Sequence, residues 1–196
     1  MKQKLLSLVF SFFILSSYAQ NTWLQKANFG GTARRGSVGF SIGSKGYCGT
    51  GFDGTLRNDF WEYNPANNTW TQKANFGGVS CELSVGFSIG SKGYCGTGVS
   101  GNGDLKDLWE YNPSNNSWTQ KAPYGGPACY SAVGFSIGSK GYIGTGFITN
   151  NPNPLNDFWE YDPLADSWLQ KTSFAGAAAQ RSSISFHKYY LYKNEN

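Results

Sequence analysis

Side chains that commonly perform chemistry are scarce in this sequence. Among 196 residues there is a single histidine, His187. A copper site held by imidazoles, a Ser-His-Asp triad and a Cys-His pair each need histidines that this chain does not have in suitable places. We therefore expect no metal, no cofactor and no catalytic residue, and we predict that the protein is not an enzyme.

Three glutamates are the next candidates, because each recurs in the same Trp-Glu-Tyr context, at Glu62, Glu110 and Glu160. A residue present in every copy of a repeat most simply serves the repeated unit. Their place among aromatic residues predicts hydrogen-bonded structural carboxylates rather than an acid/base pair. Packing between repeats is likewise the role predicted for six recurring tryptophans: Trp61, Trp70, Trp109, Trp118, Trp159 and Trp168.

The elements that hold these residues repeat about every 48 positions. The segment VGFSIGSKGY begins at Val38, Val85 and Val133, and each copy is followed by Trp-Glu-Tyr and then by Ser/Thr-Trp-x-Gln-Lys. The alternation of apolar residues in the first segment predicts a strand, and glycine and Asn-Pro turns separate the others. Each copy is thus predicted to be a four-stranded antiparallel meander, which buries both faces only by stacking on further copies.

The sequence resembles the kelch-repeat, galactose-oxidase-like β-propellers. The resemblance rests on the apolar first strand, the glycine-ended Gly49-Thr50-Gly51, and the segment 58–65 followed by Trp70. It covers about residues 21–187 and implies an all-β propeller of four-stranded antiparallel blades. Three complete blades are expected at about 36–73, 84–121 and 132–171, and the family usually closes rings of six or seven.

The two ends predict parts of a fourth blade. Residues 21–26 repeat the fourth-strand motif, residues 181–187 resemble a first strand, and residues 188–196 lose the pattern. We therefore expect an incomplete ring. Since an open arc leaves a sheet face bare, oligomerisation or completion by further blades is also expected.

Residues 1–19 have the features of a secretory signal peptide. Lys2 and Lys4 precede an apolar stretch, and small residues lead to a cleavage position near Ala19. A membrane anchor at the same place is the alternative; after cleavage no transmembrane segment is predicted. The expected location is secreted, periplasmic or at the cell surface. A formal charge of +4 and no basic stripe argue against nucleic acid as a partner.

Cysteines in an exported chain raise the question of disulfides. Cys48 and Cys95 are equivalent in successive copies, and Ile143 takes their place in the third; Cys81 and Cys129 form a second equivalent pair. Because equivalent positions in stacked sheets lie about 10 Å apart, we favour buried thiols, with a Cys48–Cys81 pairing left open.

Variation between copies predicts where a ligand would bind. The tight turns hardly change, whereas the loops between second and third strands and the links between copies do, and both lie on one face. Loops on a rigid scaffold commonly carry recognition, although unconstrained loops also drift. Five of these variable residues are expected around the entrance of the propeller's central channel: Arg34, Arg35, Glu82, Tyr130 and Arg181. Alternatively, Arg34 could pair with a third-strand glutamate. The remaining candidates on this face are Asp53, Arg57, Asn102, Asp104, Asn150 and Asn151.

Mixed charge with an aromatic residue suits a polar peptide or a glycan. We therefore predict an exported, non-catalytic module that binds protein or carbohydrate, or serves as a scaffold. The resemblance leaves a truncated galactose-oxidase-like enzyme as one alternative. A structural repeat segment of a larger surface protein is the other.

Overall fold

The computed structural model describes residues 22–176. Alternating apolar residues and glycine turns produce three four-stranded antiparallel sheets, here called blades. Blade 1 contains β1 (Val38–Ile42), β2 (Lys45–Gly49), β3 (Phe60–Asn64) and β4 (Thr69–Lys73). Blade 2 contains β6 (Val85–Ile89), β7 (Lys92–Gly96), β10 (Leu108–Asn112) and β11 (Ser117–Lys121). Blade 3 contains β12 (Val133–Ile137), β13 (Lys140–Gly144), β14 (Phe158–Asp162) and β15 (Ser167–Lys171). The predicted all-β class and meander order are confirmed.

A small three-stranded sheet accompanies blade 2. It consists of β5 (Cys81–Glu82), β8 (Val99–Ser100) and β9 (Gly103–Asp104), paired in the order β5-β8-β9. It joins the link before blade 2 to the loop between β7 and β10. The links and loops of this face are therefore fixed to each other by backbone hydrogen bonds.

Each blade packs on the next by inserting apolar side chains where the next blade has glycine. A Cβ added to Gly86 would lie closer than 3.0 Å to Val38, and one added to Gly134 would overlap Val85 in the same way. Phe40 covers Gly93, and Phe87 covers Gly141, in the second strands. The repeated glycines therefore leave the space into which side chains of the preceding blade pack.

Substituting alanine at Gly134 tests this packing. The new methyl group would overlap Val85, and we expect the free energy of unfolding to fall by about 1–3 kcal/mol, the usual penalty of overpacking. Urea denaturation checks the value. Gly101→Ala is the matched control, since no atom lies within 4 Å of its added Cβ. Equal stability of the two variants would contradict the assigned packing.

Tryptophans of the outer strands hold the links that join one blade to the next. Trp118 donates its Nε1–H to the carbonyl of Ala74 (3.2 Å), and Phe76 packs edge-on against Trp118 with centroids 5.2 Å apart. The backbone N–H of Ala74 donates in turn to the side-chain oxygen of Asn116 (2.9 Å). Asn116 lies in the β10–β11 turn and has a φ of 54°. Equivalent contacts occur at Trp70 and Trp168, so this ring serves the junction between copies.

The N-terminal segment differs from the predicted strand. Residues 22–26 have no strand assignment, and the side chain of Trp23 is fully exposed. A strand exists only with a hydrogen-bonded neighbour, and no third strand of a further blade lies among residues 22–176. The predicted partial blade at 181–187 and the tail 188–196 lie outside the described residues, as does the predicted signal peptide.

Candidate functional site

Links and loops meet on one face of the three blades. Arg35 and Phe52 exchange backbone hydrogen bonds of 3.0 and 2.9 Å, and Tyr130 and Phe147 do the same in the third copy. Gly51 of the first loop donates its N–H to the carbonyl of Cys81 in the next link (2.7 Å). The predicted variable surface is thus continuous from blade to blade.

Neighbouring links are also bonded to each other. The N–H of Leu83 donates to the carbonyl of Gly36 (2.8 Å), and that of Ser131 donates to the carbonyl of Leu83 (3.0 Å). These three residues have φ of 63°, 60° and 53°, a left-handed conformation that reverses the link before the first strand of each blade. Side chains beside them are therefore held in fixed places.

Arg35 and Glu82 come together on this face. Arg35 Nε lies 3.3 Å from Glu82 Oε2, and its guanidinium sits 4.7 Å from the centroid of Phe52. In the third copy Tyr130 packs beside Phe147, with centroids 6.1 Å apart. This row presents one cation, one carboxylate and one phenol.

Arg34 points the other way, because successive side chains of an extended segment alternate. Its guanidinium makes a two-point ion pair with Asp59 and donates to the carbonyl of Thr50 (3.2 Å); only 3% of the side chain is exposed. The alternative of a third-strand glutamate partner is wrong, since Glu62 is bound elsewhere. Burial alone would raise the pKa of Asp59, but hydrogen bonds from Arg34 and Trp61 hold it below its usual range.

Copies 2 and 3 have cysteine where Arg34 stands. Asp107 of blade 2, the counterpart of Asp59, accepts from Trp109 (2.7 Å), while its buried Oδ1 has no hydrogen-bond partner among the described residues. Burial raises the pKa of Asp107. The same acidic position is thus an ion-paired carboxylate in one copy and an incompletely satisfied one in the next.

The recurring glutamates lie at the opposite end of the blades. Glu62 accepts from the Tyr47 hydroxyl (2.7 Å) and from Lys45 (2.7 Å), with Lys73 at 3.5 Å. Tyr94 and Tyr142 donate to Glu110 and Glu160 in the same manner. Each carboxylate joins second and third strands, so the geometry supports a structural role.

A cavity of about 560 Å³ opens on the link-and-loop face of blade 1. Its lining is mostly polar and comes from the preceding link, the β2–β3 loop, the outer strands and the following link: Gly30, Gly31, Thr32, Arg34, Arg57, Asn58, Asp59, Trp61, Gln72 and Asn75. Arg57 reaches both oxygens of Asp53 at 2.9 Å, and the Thr32 hydroxyl donates to the same carboxylate. Hydrogen bonds from Thr32, then from Arg57, hold the pKa of Asp53 far below its usual range.

This polar group belongs to the first copy alone. Copies 2 and 3 have Val79 and Pro127 at the position of Thr32, and Leu105 and Leu155 at the position of Arg57. Backbone bonds of 2.8 Å from Arg57, Leu105 and Leu155 to the glycine carbonyls of their loops establish the equivalence. The cavity therefore departs from the repeated scaffold at Thr32 and Arg57, while much of its remaining lining is shared by all copies.

The other predicted residues lie away from the cavity. Asp104 accepts from both the N–H and the hydroxyl of Thr149 at 2.6 Å, and so joins the second and third loops. Asn102, Asn150 and Asn151 lie in exposed turns. Within residues 22–176 no three His, Cys, Asp or Glu side chains gather as metal ligands, and no helix could span a membrane. Arg181 lies outside the described residues.

Sequence reasoning missed part of the cavity. The repeat pattern predicts a packing role for Trp61. In the structure its Nε1–H donates to Asp59 (2.8 Å), and its ring lines the cavity beside Gln72, its partner across β3 and β4. Asn75 enters from the following link. Comparing copies position by position gives a usable signal for Thr32 and Arg57, but not for residues that are repeated.

All four cysteines are free thiols in the structure, and three of them are fully buried. Burial raises the pKa of Cys81 to about 11 and that of Cys129 to about 12. The pKa of Cys95 lies well above its usual value for the same reason. Their place in the core is that of small apolar side chains.

Comparison with known proteins identifies a structural relative but no sequence family. The sequence matches no known family profile and no curated protein. Among solved structures, YjhT is similar with a TM-score of 0.69 and 18% identity, over 79% of this chain and 56% of that one. The chain folds as a β-propeller. This propeller chain spans little more than half the length of YjhT.

Proposed function

We propose that this propeller is an exported, non-catalytic binding module of the kelch type, and that the cavity of blade 1 binds a carbohydrate. The observation that carries the proposal is the polar group confined to the first copy. Asp53 accepts hydrogen bonds from both Thr32 and Arg57 beside the cavity, whereas the other copies have apolar residues at the positions of Thr32 and Arg57.

The balance of charge favours an uncharged polar ligand. Each arginine at the cavity is already matched by a carboxylate, Arg34 by Asp59 and Arg57 by Asp53. The amides of Asn58, Gln72 and Asn75 and the indole of Trp61 complete the lining. Amide groups that bond hydroxyls, together with an aromatic wall, are suited to a sugar ring.

The same carboxylates are poorly suited to acid catalysis. Hydrogen bonds from Thr32 and Arg57 lower the pKa of Asp53, and those from Arg34 and Trp61 lower that of Asp59. A general acid at neutral pH needs a raised pKa, so neither group would deliver a proton to a leaving group. The lowered pKa values of these two carboxylates therefore favour a binding role over general-acid catalysis at this cavity.

Arg57→Leu is the substitution that tests the site, because leucine stands at this position in both other copies. We expect the wild-type protein to bind a subset of a glycan array and Arg57→Leu to lower that affinity at least about tenfold, as expected when a charged hydrogen-bonding group is removed. Titration calorimetry with the best array ligand measures the change.

Asn102→Ala is the control, since Asn102 lies in an exposed turn of the second loop, outside the cavity. Its affinity should equal that of the wild type. Binding by wild type and Arg57→Leu with equal strength would contradict the proposed site. A wild-type protein that binds no glycan but binds peptides would shift the ligand class to protein.

A further inference from the structure

The stack of three blades ends in two unlike faces. The first, the apolar end face, is made by Val133, Phe135 and Ile137 of β12. Val133 is 58% exposed and Ile137 is 63% exposed, whereas Val85 and Ile89, their counterparts in blade 2, are 3% and 9% exposed. A contiguous apolar row of this kind is buried wherever it is followed by another blade.

The second face lies on blade 1 and is called the glycine end face, after Gly39 and Gly46. A Cβ added to Gly39 would find its nearest atom at 3.6 Å, and one added to Gly46 at 3.8 Å. Tyr63 beside them is half-buried, whereas the equivalent Tyr111 and Tyr161 are fully buried. This face has the small residues of a receiving surface, and no blade among residues 22–176 covers it.

The two faces are the two halves of a contact that the chain already makes twice. Val38 and Phe40 fill the glycine positions of blade 2, and Val85 and Phe87 fill those of blade 3. We propose that the apolar end face of one copy docks on the glycine end face of a second copy, head to tail. The contact would repeat the internal one, with Val133 against Gly39 and Phe135 against Gly46.

By sequence, residues 181–187 match a partner for the apolar end face less well than blade 1 of a second copy does. With Ile184 aligned on Val38, Ser185 stands at the position of Gly39, where the internal contacts leave no space for a Cβ. Residues 177–196 contain no glycine, so this segment offers no counterpart of Gly46. Blade 1 of a second copy supplies both glycines.

One pair of segments competes at the new junction. Between blades, the Phe76 N–H donates to Asn58 of the preceding blade (2.7 Å) while its ring packs on Trp109 and Trp118 of the following one. In the assembly, Phe29 of one copy and Phe174 of the other would both occupy the position that Phe76 has between blades 1 and 2. Phe29 already packs on its own Trp61 and Trp70, so the exposed Phe174 must give way.

Two copies joined in this manner bring together six blades, within the range of four to eight that propellers use. A head-to-tail contact between unlike faces either closes into a ring or continues as a filament. Joining both free faces of both copies leaves no end face bare. A closed pair is therefore the expected assembly.

Sedimentation analysis of the full chain over a concentration series tests the proposal. The wild type should sediment as a dimer. Val133→Glu should be monomeric, and Gly39→Ala should weaken association at least about tenfold through overlap with the incoming Val133. Gly101→Ala, which adds a methyl group in open space, should match the wild type.

Mixing the two interface variants decides the orientation. Gly39→Ala retains an intact apolar face and Val133→Glu an intact glycine face, so together they should form a one-contact heterodimer. Ile137→Ser replaces Val133→Glu if circular dichroism shows that variant to be unfolded. A wild type that stays monomeric overturns the proposal, as does a dimer that Val133→Glu abolishes and Gly39→Ala leaves intact.

Discussion

Replacing Arg34 by cysteine is expected to lower the free energy of unfolding by about 3 kcal/mol at neutral pH. The change removes the guanidinium that holds Asp59 and leaves a largely buried carboxylate without its cation. Cysteine is the residue found at this position in copies 2 and 3, so the shape of the link tolerates it. Urea denaturation followed by tryptophan fluorescence measures the loss.

The pH dependence separates this electrostatic loss from lost packing. In the wild type the lowered pKa of Asp59 stabilises the fold above the unfolded pKa, near 3.9, and this contribution disappears as pH falls through the folded value. In Arg34→Cys, burial should raise the pKa of Asp59, as it raises that of Asp107. The difference in stability between wild type and variant should therefore shrink as pH falls below about 4.

Arg35→Cys is the matched control, because Arg35 is adjacent in the same link and half of its side chain is exposed. Loss of its pair with Glu82 is expected to change stability by about 1 kcal/mol or less. A similar loss from both variants, or an Arg34→Cys effect that is constant with pH, would contradict the assignment of Arg34 to Asp59.

Alkaline pH is expected to destabilise the fold steeply, starting near pH 9. Cys81, Cys95 and Cys129 have folded pKa values raised by burial, whereas unfolded thiols titrate near 8.5. A group with a raised folded pKa contributes its stability below the unfolded pKa and loses it as pH rises towards the folded value. Each thiol should therefore remove about 1.4 kcal/mol per pH unit, or about 4 kcal/mol for the three.

Urea midpoints at intervals between pH 8 and pH 10 test this slope. The upper limit avoids most of the contribution of Tyr111, whose pKa burial raises to about 12. Cys95→Ile is the control, since Ile143 occupies the equivalent site in blade 3, and it should reduce the slope by about 1.4 kcal/mol per pH unit. Stability that stays constant up to pH 10 would show that these thiols are accessible to solvent.

The three blades were predictable because their signals are local. The alternation of Val38, Phe40 and Ile42 specifies a strand with one buried face, and it recurs unchanged in each copy. The small sheet of β5, β8 and β9 was not predictable, since each strand has two residues and no period. Such short strands are stabilised by pairing between link and loop, which is a long-range effect.

The site was predictable only in part, for a related reason. Arg34 and Arg35 are neighbours in the chain and identical in type, yet one is buried on Asp59 and the other lies on Glu82. Their separation depends on the direction of an extended link and on partners 25 and 47 residues away. Comparison between copies identifies Arg57 as unusual, but the contact with Asp53 depends on the conformation of the loop.

The near identity of the blades has a consequence for how the chain reaches its native order. The hairpin VGFSIGSKGY is the same in all three copies, so early in folding a first strand can pair with the second strand of a wrong copy at little energetic penalty. Discrimination must come from residues that differ, such as the Arg34–Asp59 pair and the contact of Asp104 with Thr149. These few side chains would then set the folding yield as well as the final stability.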